Sequence, residues 1–336
     1  MSRSLPGVCR TVAPLAAIAL ALAACSDQPT APLASAPSSP SASRSTEFAN
    51  DMAPGQVMHM RGYVESAASN SARPRSTGIT YHGGTVLLTT TVAAVYWGSP
   101  GYKSLPSGSG TGSADGSLLG TFLRGLGGSP YFNINTSYYN AAGTHISNVV
   151  NYTQYWNNTS APSASPTDAN MVSMLQSGFT SGALSYDPST VYAIFTGSGV
   201  NLGGGFGSQY CAYHTHGTVT INGVARTVLY AAMPYNKQYL SGCTSGYAPA
   251  NGTLDDAADY EVNTLAHEIE EATTDAMGNA WYDNRGYENA DKCAWTWGTT
   301  FATASGGTAN MTIGGKPFLV QRNWVNAGSG GCALSY

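Results

Sequence analysis

Charged side chains are scarce in this chain of 336 residues, and basic ones are the scarcer kind. Lys and Arg number 14 against 18 Asp and Glu, and charged residues amount to 10% of the chain. With a formal net charge of −4 and no basic patch, the sequence lacks the electrostatic footprint of a nucleic-acid-binding protein, so we expect no nucleic-acid partner. Hydrophobic residues, at 42%, are abundant enough to build a sizeable core.

The sequence also lacks an apolar run long enough to stay in a membrane as a helix, which needs about 20 residues. The run from Val12 to Leu22 is shorter, follows Arg3 and Arg10, and ends in small residues. This pattern is typical of a secretory signal peptide, which is removed after export.

The end of this run reads Leu22-Ala23-Ala24-Cys25, the lipobox of bacterial lipoproteins. We therefore predict a lipoprotein signal peptide over residues 1–24 and a lipid on Cys25 that anchors the protein to a membrane without spanning it. The predicted location is the outer membrane, the cell surface or the periplasmic face. The alternative is an ordinary signal peptide with a chance cysteine.

Cysteine pairs with the C-x-x-C spacing of zinc sites are missing from the remainder of the chain. With Cys9 in the signal peptide and Cys25 lipidated, four cysteines remain: Cys211, Cys243, Cys293 and Cys332. An even number in an exported protein predicts two disulfides. Three connectivities are possible, of which the sequential one is the simplest.

Ser, Ala and Pro dominate residues 25–75, which have almost no periodic apolar pattern. We predict a disordered tether there. The folded domain is predicted over residues 76–336. The high counts of Gly (40) and Tyr (21) are typical of secreted, loop-rich or β-rich proteins.

Strands and helices alternate within residues 76–336. Runs of β-branched and aromatic residues predict strands, and apolar residues at helical spacing predict helices. The predicted strands cover 85–98, 145–156, 190–199 and 226–235, and the predicted helices cover 115–128, 166–179 and a long segment that contains His267. This order predicts one α/β domain with a mixed β-sheet and an irregular, β-rich C-terminal part.

The long helical segment contains His267-Glu268-Ile269-Glu270-Glu271, which begins like the zinc-protease pattern H-E-x-x-H but lacks its second histidine. On a helix, His267 and Glu271 lie one turn apart and can share an ion, while Glu268 lies beside them where a general base would. Apolar residues occupy the opposite side. The alternative is therefore an amphipathic helix with a solvated acidic face.

Acidic residues crowd around this helix, and basic residues are nearly absent. Eleven of the 18 acidic residues lie between positions 255 and 291, where Arg285 is the only basic residue. Carboxylates at this density repel one another without a counter-charge, which favours a bound cation over a purely structural network. The candidate ligands beyond His267 and Glu271 are Glu288 and Asp291, with Asp275 and Asp283 as further candidates.

Two more histidines, His214 and His216, stand two residues apart next to Cys211. Side chains at this spacing lie on one face of a strand. Such a pair more often makes structural hydrogen bonds than it binds a metal or substrate, and both roles are kept as hypotheses.

Four segments carry a resemblance to a known family: YHGGTVLLTTTVAAVYWGS, YCAYHTHG, VLYAAMPY and HEIEEATTDAMGNAWYDNRGYENADKCAW. Together they resemble the phosphate-induced protein 1 family, known in plants as EXORDIUM, in its bacterial form, over residues 78–336. The family consists of extracellular proteins without a settled biochemical activity.

The H-E-x-x-E helix is in addition similar to that of the zincin metallopeptidases. That likeness implies a mixed sheet, an active-site helix and a C-terminal part that supplies the third ligand. It implies Zn²⁺, or another divalent cation, on His267 and Glu271, with Glu268 as the catalytic base.

Three functions follow as hypotheses. The first is a surface-anchored metal-dependent hydrolase that acts on a peptide. The second is a non-enzymatic extracellular protein with a structural cation or none, whose Tyr- and Trp-rich loops bind a glycan or cell-wall partner. The third is a purely structural lipoprotein. It accounts for the tether but does not explain the clustered acidic residues.

Overall fold

A computed structural model describes residues 78–208 and 210–336. The predicted signal peptide, Cys25 and the predicted tether lie outside these described residues. Within them, we find no helix that combines the length and the apolar character needed to cross a bilayer.

The secondary structure alternates as the sequence predicts. The strands of the N-terminal two thirds are β1 (Thr80–Tyr81), β2 (Thr90–Trp97), β3 (Ser109–Thr111), β4 (Val150–Asn158), β5 (Thr190–Phe195), β6 (Tyr213–Ile221) and β7 (Val224–Met233). The helices are α1 (Leu118–Leu126), α2 (Asp168–Ser181), α3 (Leu240–Cys243) and α4 (Asp256–Thr274). The C-terminal strands are β8 (Trp281–Tyr282), β9 (Phe301–Ala302), β10 (Thr308–Ala309), β11 (Met311–Ile313), β12 (Lys316–Phe318), β13 (Asn323–Val325) and β14 (Gly331–Ala333).

Six strands form one mixed sheet in the order β3-β4-β2-β5-β7-β6. The four inner strands are parallel to one another, while the edge strands β3 and β6 pair antiparallel with β4 and β7. Four two-stranded antiparallel sheets complete the structure, and three of them lie after residue 300. The predicted α/β class with a mixed sheet and a β-rich C-terminal part is confirmed.

Helices cover both faces of the sheet, so its inner strands are apolar on both sides. From β2, Val92, Ala94 and Tyr96 belong to the core that contains the apolar residues of α1 and α4. Ala93, Val95 and Trp97 belong to the second core, which contains α2. The result is a three-layer arrangement that holds α4 against one face of the sheet.

The edge strand β6 is joined to β7 by a two-residue turn, Asn222-Gly223. Both residues have positive φ, 52° and 77°. This is the conformation that a type I′ hairpin requires and that Asn-Gly adopts readily. The hairpin sets the register in which His214 lies opposite Ala231.

Helix α4 is buried on all sides from Glu261 onward, which excludes the solvated acidic face considered above. Its N-cap Asp255 accepts a hydrogen bond from the backbone of Ala258, and sixteen of its nineteen residues are buried. Its apolar side packs on the sheet core. Its polar side is covered by the C-terminal part, where Gln321 and Asn323 bond to Asn263 and Glu270.

Both disulfides form, with the sequential connectivity. Cys211, which precedes β6, pairs with Cys243 at the end of α3. Cys293 pairs with Cys332 on β14, 39 residues later. The second disulfide ties the segment that contains Glu288 and Asp291 to the C-terminal strands.

Removing the Cys293–Cys332 disulfide should cost the protein much of its stability. In the chain-entropy relation, closing a loop of this length is worth about 3–4 kcal/mol. The double variant Cys293→Ser, Cys332→Ser is therefore expected to lower the free energy of unfolding by about this amount in a urea titration. Free thiols at these two positions in native protein would contradict the assignment.

Candidate metal centre

Three side chains from α4 and the segment after it meet in the interior, and we call them the His267 triad: His267, Glu271 and Asp291. Nε2 of His267 lies 3.0 Å from Oε1 of Glu271 and 3.5 Å from Oδ1 of Asp291. One ligand atom from each residue lies within 4.8 Å of the others. The spacing of one helical turn brings the first two together, as the sequence predicts.

Asp291 reaches the triad because the chain turns back after β8. Oδ1 of Asp283 accepts hydrogen bonds from the backbone nitrogens of Arg285 and Tyr287, which closes that turn. The backbone nitrogen of Asp291 then donates to Oε1 of Glu271 over 3.0 Å.

The imidazole of His267 has the orientation of a metal ligand. Despite the short distances, its Nε2 makes no hydrogen bond of acceptable geometry to either carboxylate. It lies close to both oxygens without a well-directed hydrogen bond to either. Donor atoms spaced by about 3–4 Å around a common point are what a zinc site with bonds of about 2.0–2.2 Å requires.

A second group, the His214 triad, consists of His214, Glu271 and Glu288, again with ligand atoms within 4.8 Å of one another. Nδ1 of His214 lies 3.7 Å from Oε2 of Glu271, and its Nε2 lies 3.8 Å from Oε1 of Glu288. Glu268 stands beside this group, with Oε2 3.2 Å from Nδ1 of His214. Glu271 belongs to both triads.

Burial and mutual repulsion set the electrostatics of the centre. Burial, together with the charge of Asp291, raises the pKa of Glu271 to about 7. Burial also raises the pKa of Asp275 to about 7 and that of Glu288 well above its ordinary value, the latter with help from Glu271. Burial lowers the pKa of His267, but the Glu271 and Asp291 carboxylates outweigh it and raise this pKa well above the ordinary value. Ionised carboxylates are thus held here at a cost that a cation would offset.

The remaining candidate ligands have different positions. Asp275 ends α4, where its Oδ1 accepts hydrogen bonds from the backbone nitrogens of Asn279 and Ala280. Its carboxyl lies within hydrogen-bonding reach of Glu288. Asp283 is engaged elsewhere, because its carboxylate pairs with Lys292 at 3.1 Å and Arg285 at 3.3 Å.

His216 shares the strand face of His214 but belongs to neither triad. Burial and the neighbouring His214 lower its pKa. The structure therefore separates the two histidines that the sequence offered as a pair.

Gln321 is a residue of this centre that the sequence did not indicate. Its amide nitrogen donates to the carbonyl oxygen of Ala290 over 2.8 Å and lies 3.0 Å from Nδ1 of His267. In this orientation Nδ1 accepts, so a neutral His267 carries its proton on Nε2. A metal on Nε2 would require the amide to turn, so that its oxygen accepts from a protonated Nδ1.

The centre is nearly closed to solvent. Among the residues of the two triads and Glu268, His214 has the most exposed side chain, at 7%, and the side chain of Asp291 is 3% exposed. The side chains of Glu268, Glu271 and Glu288 are exposed by 2% or less. The side of His214 is therefore the least covered part of the centre.

The fold and the site define an α/β protein with a buried histidine and carboxylate centre. Comparison with known proteins finds no matching family model, no match among curated proteins and no match among solved structures. Arguments about function therefore depend on the geometry of the site.

Glu261, also on α4, is a buried carboxylate outside both triads. Its Oε2 accepts from the backbone nitrogen of Asn236, and its Oε1 accepts from the hydroxyl of Thr264. Burial outweighs these hydrogen bonds and raises its pKa to about 8 from 4.5. Between these two values the folded protein holds a proton that the unfolded chain releases.

The stability contributed by protonated Glu261 is therefore fully present below pH 4.5 and is lost as pH rises through about 8. One pKa unit corresponds to ~1.4 kcal/mol. We expect Glu261→Gln to gain stability relative to the wild type by several kcal/mol between pH 4.5 and pH 8.5, measured by urea denaturation at both pH values. A constant difference between the two proteins across this range would contradict the burial argument.

Proposed function

We propose that this protein is an exported metal-dependent hydrolase, similar to a metallopeptidase, whose cation is held by the His267 triad. The observation that carries the proposal is the convergence of His267, Glu271 and Asp291 inside the protein, with Glu268 next to them on the same helix. Zn²⁺ suits one imidazole and two carboxylates, and other divalent cations accept the same donors.

The donor atoms of the His267 triad suit a cation by their chemistry, and Nε2 of His267 lacks a hydrogen-bond partner in the part of the chain that the structure describes. Nε2 of His267 is buried and without a well-directed hydrogen bond, and the two carboxylates beside it have raised pKa values because of burial. When bound, a divalent cation would acidify a coordinated water and polarise the bond to be cleaved.

Glu268 is the residue that we assign to proton transfer. Its Oε2 lies 3.2 Å from Nδ1 of His214, whereas its Oε1 is buried and receives no hydrogen bond within residues 78–208 and 210–336. A carboxylate with one oxygen fixed and the other free can accept a proton without reorienting. His214 then acts as the residue that positions Glu268.

The hydrolase proposal predicts that Glu268→Gln abolishes activity while leaving the cation and the fold in place. Hydrolysis would be measured on labelled casein and a mixed peptide library, and metal content by elemental mass spectrometry of protein purified without added metal. We expect a loss of at least ~100-fold in rate, the usual contribution of a general base. His267→Ala is expected to lose the metal itself.

Glu261→Gln is the matched control, because it removes a buried glutamate from the same helix outside both triads. It is expected to keep both the metal and the activity. Metal-free, fully folded wild-type protein would contradict cation binding, and a Glu268→Gln protein with unchanged hydrolysis would contradict the catalytic assignment.

The near closure of the centre favours a second candidate, a non-enzymatic extracellular protein with a structural cation. Structural metal sites are closed, whereas catalytic ones keep an open coordination position. In this case chelation lowers the melting temperature, no peptide is hydrolysed, and Glu268→Gln changes neither result. A glycan or cell-wall partner would then bind elsewhere on the surface.

The proposed cellular setting depends on the sequence alone. We infer a lipoprotein of the phosphate-induced protein 1 family in its bacterial form, exported and anchored through Cys25. The support is the lipobox Leu22-Ala23-Ala24-Cys25, the four family-like segments and the two disulfides, which fit an oxidising compartment.

Anchoring through lipid predicts that Cys25→Ala moves the protein from the membrane fraction to the soluble fraction. Fractionation followed by immunoblotting measures the distribution, and a conservative change in the tether, Ser26→Ala, serves as the control. Cys25→Ala protein that still sediments with membranes would show that another feature holds it there.

A further inference from the structure

We propose that the centre binds two divalent cations, the second one on the His214 triad, with Glu271 bridging them. This inference builds on the proposed function, which needs only the cation of the His267 triad. The second site uses His214 from the edge strand β6 and Glu288 from the segment after β8, with Glu268 beside them.

The two oxygens of Glu271 are already divided between the two triads. Its Oε1 faces Nε2 of His267 at 3.0 Å, and its Oε2 faces Nδ1 of His214 at 3.7 Å. A single ion bound by the first triad uses Oε1 and leaves Oε2 facing His214 in the second group. Carboxylates that bridge two ions are a feature of hydrolytic two-metal centres, in which the ions stand about 3.5–4 Å apart.

His214 has the surroundings of a metal ligand. Its Nε2 lies 3.3 Å from the backbone carbonyl oxygen of Asp275. A donor bond to a backbone carbonyl is the usual way in which a ligating histidine is fixed in one tautomer, with the other nitrogen left for the metal. Nδ1 faces Glu268 at 3.2 Å and Glu271 at 3.7 Å, so a cation at Nδ1 would take the place of the proton that this nitrogen shares with Glu268.

Three buried carboxylate oxygens around the His214 triad lack a hydrogen-bond donor among the described residues. Oε1 of Glu288, Oε1 of Glu268 and Oδ2 of Asp275 are buried, and none receives a hydrogen bond from the residues that the structure describes. Buried polar atoms without partners are rare in folded proteins, and a cation satisfies several at once.

The charge balance also favours two ions over one. Five buried carboxylates surround the two histidines: Glu268, Glu271, Asp275, Glu288 and Asp291. The basic residues of this segment, Arg285 and Lys292, pair with Asp283. One divalent cation would leave three negative charges of the five uncompensated, and two would leave one.

The test is a titration of the full-length apoprotein with Zn²⁺ alone, after dialysis against a weak chelator, with bound metal counted by elemental mass spectrometry. We expect two equivalents for the wild type and one for His214→Ala. Glu288→Gln, which preserves side-chain shape, should also bind one and guards against misfolding of the first variant. His216→Ala, on the same strand face but outside both triads, should still bind two.

The results separate the two proposals. One equivalent in the wild type would overturn the second site and leave the proposed function standing. No bound zinc would overturn both. Two equivalents that persist in both His214→Ala and Glu288→Gln would place the second ion elsewhere and overturn this assignment.

Discussion

The burial of carboxylates on α4 is the constraint on which the rest of this structure depends. The helix lies between the sheet and the C-terminal part, and its acidic side chains from Glu261 to Glu271 are buried. Each buried carboxylate must obtain a proton, a hydrogen-bond donor or a cation, because an isolated charge in the interior is strongly unfavourable. The surroundings of α4 supply these partners unequally along its length.

Neighbouring carboxylates on α4 illustrate two different solutions. Glu270 receives a hydrogen bond of 2.6 Å from the side-chain amide of Asn323, and Asn289 donates to its backbone carbonyl. Around Glu271 the partners are instead two imidazoles and further carboxylates. An amide donor thus reaches Oε2 of Glu270, although its Oε1 receives no hydrogen bond from the described residues, whereas the carboxylate of Glu271 faces imidazoles and other carboxylates. This difference, one residue apart on a helix, separates a structural position from a candidate metal centre.

The sequence was sufficient for the parts of the fold that repeat a pattern. The buried strands, α1, α2 and α4 were predicted from periodicity and turn residues, and the pairing of His267 with Glu271 followed from helical spacing alone. Asp291 and Glu288 could be proposed because the acidic density of their segment is visible in the sequence. Periodicity and acidic density are local properties of the sequence, so these features could be predicted without knowledge of the tertiary structure.

What the sequence did not indicate depends on tertiary packing. The sequence of α4 alone predicts that its polar face meets solvent. In the structure this face is covered by strands of two or three residues, which are too short to show a periodicity in the sequence. Nothing in the sequence distinguishes Gln321 from other glutamines, and its role follows only from its contact with His267 in the folded protein. His214 and His216 are equivalent in the sequence, and only the packing of β6 beside α4 distinguishes them. Asp283 closes a turn and neutralises Lys292. It shares its residue type with the candidate ligands but has a different role.

The Cys293–Cys332 disulfide has a consequence for when the centre can be completed during biogenesis. Glu288 and Asp291 come from the segment that this bond ties to β14, near the end of the chain. Gln321, which contacts His267, is also translated late. Until this bond forms, nothing covalent holds Glu288 and Asp291 against the C-terminal strands. For the proposed cation and the proposed export, the metal supply that matters would accordingly be that of the compartment in which the bond forms.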